Sequence, residues 1–377
     1  GRSTRFAVWD RGIRMPEHAI PTTVEQVTPA WLTDALRGSG ALQDGTVTGF
    51  DAELIGQGVG IMGLLHRLTP TYDGGSGPAT VVLKTPIDHE MTRFVARTFQ
   101  FYGKEVAFYR TAADRSPLTT PRCLASAHDP ESDDFVLLLE DLGDAEVHNQ
   151  LDGCPPDLAE AAVRALARHH TEFWETPSFG KELSWLPYGW DPPMPQGVQQ
   201  GVTMAWEPFL AGFGDHVDDD IRAIGERFPS VVEEMMYFPE KPTTLAHGDY
   251  RLDNLFFRRH EDGTEVIAID WQICVKTVGA YDLGYFLSQS LTTEDRRAHE
   301  ERLLDVYRST LAEAGIDYPT DELLEDYRRT VLFCLCYPIQ AGGSVELVNE
   351  RAVQLVGLML DRVVAAIRDL DAASLMP

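Results

Sequence analysis

The sequence predicts an α+β chain in two parts, a strand-rich first third followed by a helix-rich remainder. Short apolar runs bounded by glycine and proline crowd the region before residue 143, as strands do. Helical periodicity dominates from about residue 293, and the join falls near 140 to 143. The strict β-α alternation of a doubly wound sheet is absent. With 377 residues, 44% of them apolar and 24% charged, the chain can bury a sizeable interior in two or three substructures.

The elements follow in order. "TPAWLTDALRGSG" reads as a helix, with Thr28 as cap, Pro29 in the first turn and Gly38 marking the stop. "VTGFDAELIGQGVGIMGLLHRLTPTYD" reads as strand, glycine turn and strand, ending at "DGGSG". "PATVVLKTP" is a short strand that places Lys84 near its end. "DHEMTRFVARTFQFYGKEVAFYRTAAD" has one helical period, with Phe94, Val95, Thr98, Phe101, Tyr102, Val106 and Tyr109 on one side. "DDFVLLLEDLGD" is a buried strand running out at Gly143, and "PPDLAEAAVRALARHHTEFWE" is a long amphipathic helix opened by Pro156 and Asp157. Residues 177 to 215, rich in Pro, Gly and Trp, read as an irregular insertion. "EVIAIDWQ" is a strand ending in Asp270.

The balance of 32 basic against 59 acidic side chains gives a net charge of −27. Such a surface repels a phosphate backbone, so no nucleic-acid partner is expected. It suits a cationic small substrate, or simply a well-hydrated surface. The five cysteines, Cys123, Cys154, Cys274, Cys334 and Cys336, are scattered and form no CxxC pair, which points to reduced thiols in a cytoplasmic protein. No secretory h-region and no membrane-length apolar run is evident, so no membrane partner is expected.

The chemistry concentrates in "LAHGDYRLDNLFF", which holds His247, Asp249, Arg251, Asp253 and Asn254 between apolar ends. Asp249 and Asn254 stand five apart, the H-x-D-x-x-x-x-N spacing of a phosphotransferase catalytic loop. There the Asp sits beside an acceptor hydroxyl and aligns it, while the Asn oxygen ligates Mg2+ without adding negative charge. Asp270, sixteen residues beyond Asn254, supplies a second hard oxygen ligand for Mg2+. The plainer alternative makes all three caps and turn formers. Upstream, Gly58, Gly60 and Gly63 match G-x-G-x-x-G between two strands, either a loop over nucleotide phosphates or an ordinary glycine hairpin. Lys84 at a strand end needs a counter-charge, and Glu105 on the next helix is the expected partner, with Glu90 the runner-up.

At this point "HGDYRLDN", "IDWQ" and "GAYDLGYFL" resemble the aminoglycoside phosphotransferase and choline kinase-like superfamily, nearest its ecdysteroid-kinase-like, or CHK-kinase-like, branch. The resemblance runs from about 50 to 290 and is most specific from 247 to 284. It implies a protein-kinase-like two-lobe fold, with a small β-rich N-lobe and a larger, mostly helical C-lobe. The implied division is an N-terminal extension over 1–50 with one helix packing on the N-lobe, a nucleotide-binding N-lobe over 51–141 with its hinge near 138–143, and a helical C-lobe over 142–377. The C-lobe would hold the catalytic loop (247–254) and an acceptor-binding insertion at about 177–240. ATP and Mg2+ are the implied cofactors, with a small-molecule hydroxyl as acceptor. Asp249 would be the base, Asn254 and Asp270 the metal ligands, and Lys84 the phosphate lysine paired with Glu105. "LLLEDL" matches the adenine hinge, with Glu140, Asp141 and Leu142. His247 and Asp282 would brace the loop.

The sequence departs from relatives in places. Trp271 and Gln272 stand where protein kinases carry Phe-Gly, and little room remains for an activation loop, which argues against a protein substrate. Ile61 and Met62 replace a Ser or Asn facing the phosphates. Arg251 either neutralises the γ-phosphate or salt-bridges an acid such as Asp253. The adjacent His169 and His170 lack metal spacing, and His170 reads as a packing residue with Trp174. Trp185, Tyr188, Trp190 and Trp206 read as a group that forms an acceptor pocket. "DHVDDD" reads as a solvated helix start. The alternative to an enzyme is a catalytically silent kinase-like module that binds a ligand or serves as a scaffold.

Overall fold

The computed structural model describes residues 20–56, 62–344 and 350–377. The chain forms two compact units. One comprises the residues through Arg110 together with Pro121–Gly143, and the other comprises Thr111–Thr120 and Asp144–Pro377.

In the first unit, α1 (Pro29–Gly38) starts where the Thr28 hydroxyl accepts the Trp31 amide at 3.1 Å. The strands are β1 (Thr46–Ile55), β2 (Gly63–Asp73) and β3 (Val81–Pro86). Two helices follow, α2 (Glu90–Thr98) and α3 (Phe101–Thr111), and then β4 (Cys123–Asp129) and β5 (Asp134–Glu140). The five strands form one antiparallel sheet in the order β1-β2-β3-β5-β4. Trp31, Leu32 and Leu36 of α1 cover it, packing with Leu68, Leu83 and Leu138 in one apolar cluster. The single helix expected over "DHEM…TAAD" is two helices. Gln100 takes a left-handed conformation at φ 55°, which ends the first run of i→i−4 bonds. Phe94 is 65% exposed rather than part of a continuous buried stripe. The α3 helix instead turns Tyr102, Glu105 and Val106 inward.

The second unit opens with β6 (Glu146–Val147) and α4 (Pro156–Phe173). The segment expected to be irregular contains a twenty-residue helix, α5 (Met194–Phe213). Its prolines mislead: Pro195 lies in the first turn, where no amide donor is missed, and the helix continues through an interior proline, Pro208. Beyond them, Val202, Ala205, Trp206, Phe209 and Phe213 repeat at helical spacing and are buried. Next come α6 (Asp219–Met236), capped by the Asp218 carboxylate on the Ile221 amide at 3.1 Å, and β7 (Thr244–Ala246). The strands β8 (Leu255–His260) and β9 (Gly263–Ala268) form a hairpin, and β10 (Val275–Thr277) pairs with β7. The strand expected to end in Asp270 therefore stops two residues earlier. Helices α7 (Ala280–Ser290), α8 (Thr293–Glu313), α9 (Thr320–Phe333), α10 (Cys336–Ser344) and α11 (Glu350–Asp369) complete the unit. No helix among the described residues is long and apolar enough to cross a membrane.

Leu138 is fully buried between α1 and the sheet. Leu138→Ala will destabilise the first unit by about 2–5 kcal/mol, read as a lower urea midpoint at unchanged slope.

Candidate active site

In the first unit, Lys84 leaves the middle of β3 opposite Leu65 and Leu137. Its ammonium lies 2.9 and 2.8 Å from the two Glu105 oxygens, and both side chains are buried. Burial makes each charge costly alone, so the pair forms where one turn of α3 offers the carboxylate. Glu90 is exposed at the start of α2. Gly63 faces the lysine stem, and a Cβ there would come within 3.2 Å of Lys84 Cε. Gly58, Gly60 and Ile61 lie outside the described residues. The Met62 carbonyl accepts the Tyr102 hydroxyl at 2.6 Å. At the end of β5, the Glu140 side chain accepts the Arg122 amide at 3.1 Å, Leu142 is buried, and Asp141 holds Arg67 at 2.6 Å. Burial alone would raise the Asp141 carboxyl, but Arg67 and the Thr80 hydroxyl hold it below its ordinary value.

In the second unit the β8–β9 hairpin gathers the polar loop. Leu255 pairs with Ala268, and one step further the Ile269 amide donates to the Asn254 carbonyl at 3.0 Å. Asn254 and Asp270 therefore emerge at the same end of the hairpin. The Asn254 amide nitrogen donates to the Asp249 carbonyl at 2.9 Å and to Asp249 Oδ2 at 2.8 Å. Its oxygen is the end left available to a cation. Asp270 takes a left-handed backbone at φ 67°, a conformation that Asp and Asn tolerate better than bulkier residues. Gln272 Nε2 stands 3.5 Å from Asp270 Oδ2.

The loop backbone is pinned from behind by a fully buried carboxylate. Asp282, on α7, accepts the His247 amide at 2.7 Å and the Gly248 amide at 2.9 Å. Gly248 has φ 87°, and a Cβ there would collide with the Ile273 carbonyl, so glycine is required. His247 donates from Nε2 to the Ile269 carbonyl at 2.9 Å and accepts the Asp249 amide on Nδ1 at 3.2 Å, which fixes a neutral Nε2–H tautomer. His170 does more than pack: its Nε2 lies 3.1 Å from Asp282 and its Nδ1 2.7 Å from the Tyr307 hydroxyl. Burial would raise Asp282, yet His170, His247 and the Gly248 amide hold its carboxyl below the ordinary value. The adjacent His169 donates to the Leu245 carbonyl of β7 at 2.9 Å.

Arg251 engages both candidate acids. Its Nε lies 3.1 Å from Asp249 Oδ1 and its Nη1 2.9 Å from Asp253 Oδ2. Burial disfavours the charge, but Asp249, Tyr285 and Asp253 raise the guanidinium well above its ordinary value. Two further residues went unread in the sequence. The Tyr285 phenol is pushed well up by burial and then by the Asp249 charge, and its ring stacks on Tyr337 at 4.2 Å. Tyr285 lies on α7 and Tyr337 on α10. The expected aromatic group divides. Tyr188 and Trp190 stack at 4.7 Å, with the Lys276 ammonium 3.8 Å over Tyr188. Trp206 is buried against Phe209 and Gly225, and Trp185 donates to the Thr111 hydroxyl at 3.0 Å. Among the described residues no ring contact joins Trp185 or Trp206 to that stack.

Lys84→Met will cost about 3–5 kcal/mol in chemical denaturation, because Glu105 is left as a buried charge. Adding Glu105→Leu will recover most of the loss. His169 is depressed to about 3 by burial and then by its neighbour His170. Below about pH 6.5 the unfolded chain therefore binds a proton that the native state refuses, so stability falls as pH drops toward 3. His169→Gln will flatten that dependence by about 1.4 kcal/mol per pH unit in urea titrations run across this window.

A model of the ecdysteroid kinase-like family matches residues 198–317. No curated protein matches the sequence. Among solved structures, an ethanolamine kinase from Plasmodium vivax superposes with a TM-score of 0.52 at 12% identity, over 84% of this chain and 81% of the other. Choline kinase from Cryptosporidium parvum Iowa II gives 0.53 at 11% identity, over 87% and 92%. The GDP complex of an aminoglycoside 2'-phosphotransferase variant gives 0.53 at 13% identity, over 85% and 93%. The family match and these folds fall within the choline kinase and aminoglycoside phosphotransferase superfamily that the motifs resemble, and the chain has its α+β, protein-kinase-like two-lobe fold.

Proposed function

We propose that the chain is an ATP- and Mg2+-dependent phosphotransferase that moves the γ-phosphoryl group to a hydroxyl of a small molecule. The observation that carries this reading is the Asp249 carboxylate, held between Asn254 and Arg251 at the hairpin end where Asp270 emerges. An acceptor hydroxyl placed against Asp249 would be oriented by a carboxylate whose own position is set by two donors. Such an acid aligns the nucleophile and takes its proton as the new P–O bond forms and the bond from the γ-phosphorus to the β–γ bridging oxygen breaks, releasing ADP. Lys84, held in place by Glu105, is the cation for the α- and β-phosphates. The backbone after β5 is the surface for adenine, since the Glu140 and Asp141 side chains are committed elsewhere.

The residues present fit Mg2+. Among the described residues no cluster of three or more His, Cys, Asp or Glu could hold a metal by protein ligands alone. Mg2+ needs only one or two side-chain oxygens besides phosphate and water. Asn254 Oδ1 and the Asp270 carboxylate would supply these, and Gln272 Oε1, buried without a partner among the described residues, adds a nearby acceptor. When bound, the ion neutralises charge on the phosphates.

Amino-alcohols and aminoglycosides are the acceptor classes to try first. Ethanolamine, choline and aminoglycosides are named for the superposed proteins, and the net charge of −27 suits a cation. The test is a mass-shift screen of hydroxylated amines, antibiotics and metabolites with Mg2+-ATP. One acceptor will gain a single phosphoryl group, and Asp249→Ala will lower its kcat by about 10²–10⁴ with nucleotide affinity unchanged. A library that gains no phosphoryl group, together with no nucleotide-induced thermal shift, overturns the reading.

A further inference from the structure

We propose that Gln150 and Asp253 are a positioning pair that sets Arg251, and through it Asp249, in the catalytic loop; this rests on the phosphotransferase reading of that loop. Asp249 is gripped from two sides. Asn254 holds Oδ2 at 2.8 Å and Arg251 holds Oδ1 at 3.1 Å. The Asn254 grip is short-range, five residues away along the loop. The Arg251 grip is only as fixed as the guanidinium, whose other anchor is Asp253 at 2.9 Å. What fixes Asp253 comes from 103 residues away in the chain.

That anchor is Gln150, fully buried in the connection between β6 and α4. Its amide donates to Asp253 Oδ1 at 3.4 Å, while its side-chain oxygen accepts the Asp253 amide at 3.3 Å. The exchange is reciprocal, main chain to side chain in both directions, so it fixes both the place and the rotation of Asp253. Gln150 is itself held at its remaining polar atoms. Its Nε2 donates to the Gln289 carbonyl at 3.0 Å, and its carbonyl accepts Arg362 Nη1 at 2.7 Å. Arg362, from α11, is buried and also donates to the carbonyls of Gln289 at 3.0 Å and Leu151 at 3.2 Å. Burial lowers it to about 10 although the charges of Asp152 and Asp295 oppose the shift. Arg351, at 3.6 Å from Asp253 Oδ1, adds a second cation from the same helix. A buried glutamine with all four polar atoms engaged loses little freedom that the fold has not already removed. Its displacement would leave Asp253 to Arg251 and Arg351, without the backbone exchange that sets its place and rotation.

A double-mutant cycle with a spectroscopic readout tests the pair in the intact chain. In arginine-15N-labelled protein, the Arg251 Nε resonance is assigned by its absence in Arg251→Lys. Asp253→Asn, which keeps the backbone exchange with Gln150, will shift that resonance, and Gln150→Ala will shift it in the same direction. With Mg2+-ATP, each single variant will lower kcat about tenfold, in hydrolysis or in transfer to the acceptor found by screening, with KM for ATP within about twofold. The double variant will lose no more than Asp253→Asn alone, since both act through one path. Multiplied losses, or an Arg251 resonance unmoved by Gln150→Ala, overturn the positioning pair. A wild-type chain that neither binds nor turns over Mg2+-ATP overturns the phosphotransferase reading instead, while the resonance shifts still decide the Gln150–Asp253–Arg251 linkage.

Discussion

The arrangement of the loop depends on the Asp282 carboxylate. Two of its donors are consecutive backbone amides, those of His247 and Gly248, and the third is the imidazole of His170. Turning two successive N–H groups toward one anion bends the chain sharply, and Gly248 supplies the left-handed backbone this requires. The following residue is then delivered with its carboxylate toward Asn254 rather than back into the interior. His247 closes the arrangement by bridging the Asp249 amide and the Ile269 carbonyl, which ties the loop to the segment that carries Asp270. A buried anion is tolerated here because its donors outweigh the loss of water, as its lowered proton affinity shows.

The same economy of charge recurs within each unit. Lys84 with Glu105, and Arg251 with Asp249 and Asp253, are ion pairs in partly or wholly buried surroundings. Such pairs add little net stability relative to apolar packing, but they hold their members to a narrow range of positions. The Arg251 triad has one cation between two anions. With Arg351 at 3.6 Å from Asp253, the cluster sets two cations beside two anions.

Much of this was legible in the sequence because the determining information is local. The spacing of Asp249 and Asn254, the strand that carries Lys84 and the Thr28 cap depend on neighbours a few residues away. What stayed hidden depends on partners distant in the chain. The helix α5 was masked by Pro192 and Pro193 just before it and by Pro195 in its first turn, where no amide donor is missed. The break at Gln100 separates two runs that share one helical period, so counting apolar positions could not locate it. His170 read as core because its polar partners, Asp282 and Tyr307, lie more than a hundred residues away. Gln150 lies in a connection with no motif at all. The aromatic insertion was grouped by composition, whereas Trp206 packs with its own helix face and Tyr188 pairs with a lysine from β10.

The left-handed backbone at Asp270 has a consequence for which acid can occupy that position. A short side chain branching at Cγ can fold back on its own peptide and offset part of the steric cost of φ 67°. Glutamate, one methylene longer, lacks that local support. Chain geometry thus favours the shorter acid, and asparagine is the replacement that removes the charge while keeping a side chain suited to the main-chain bend.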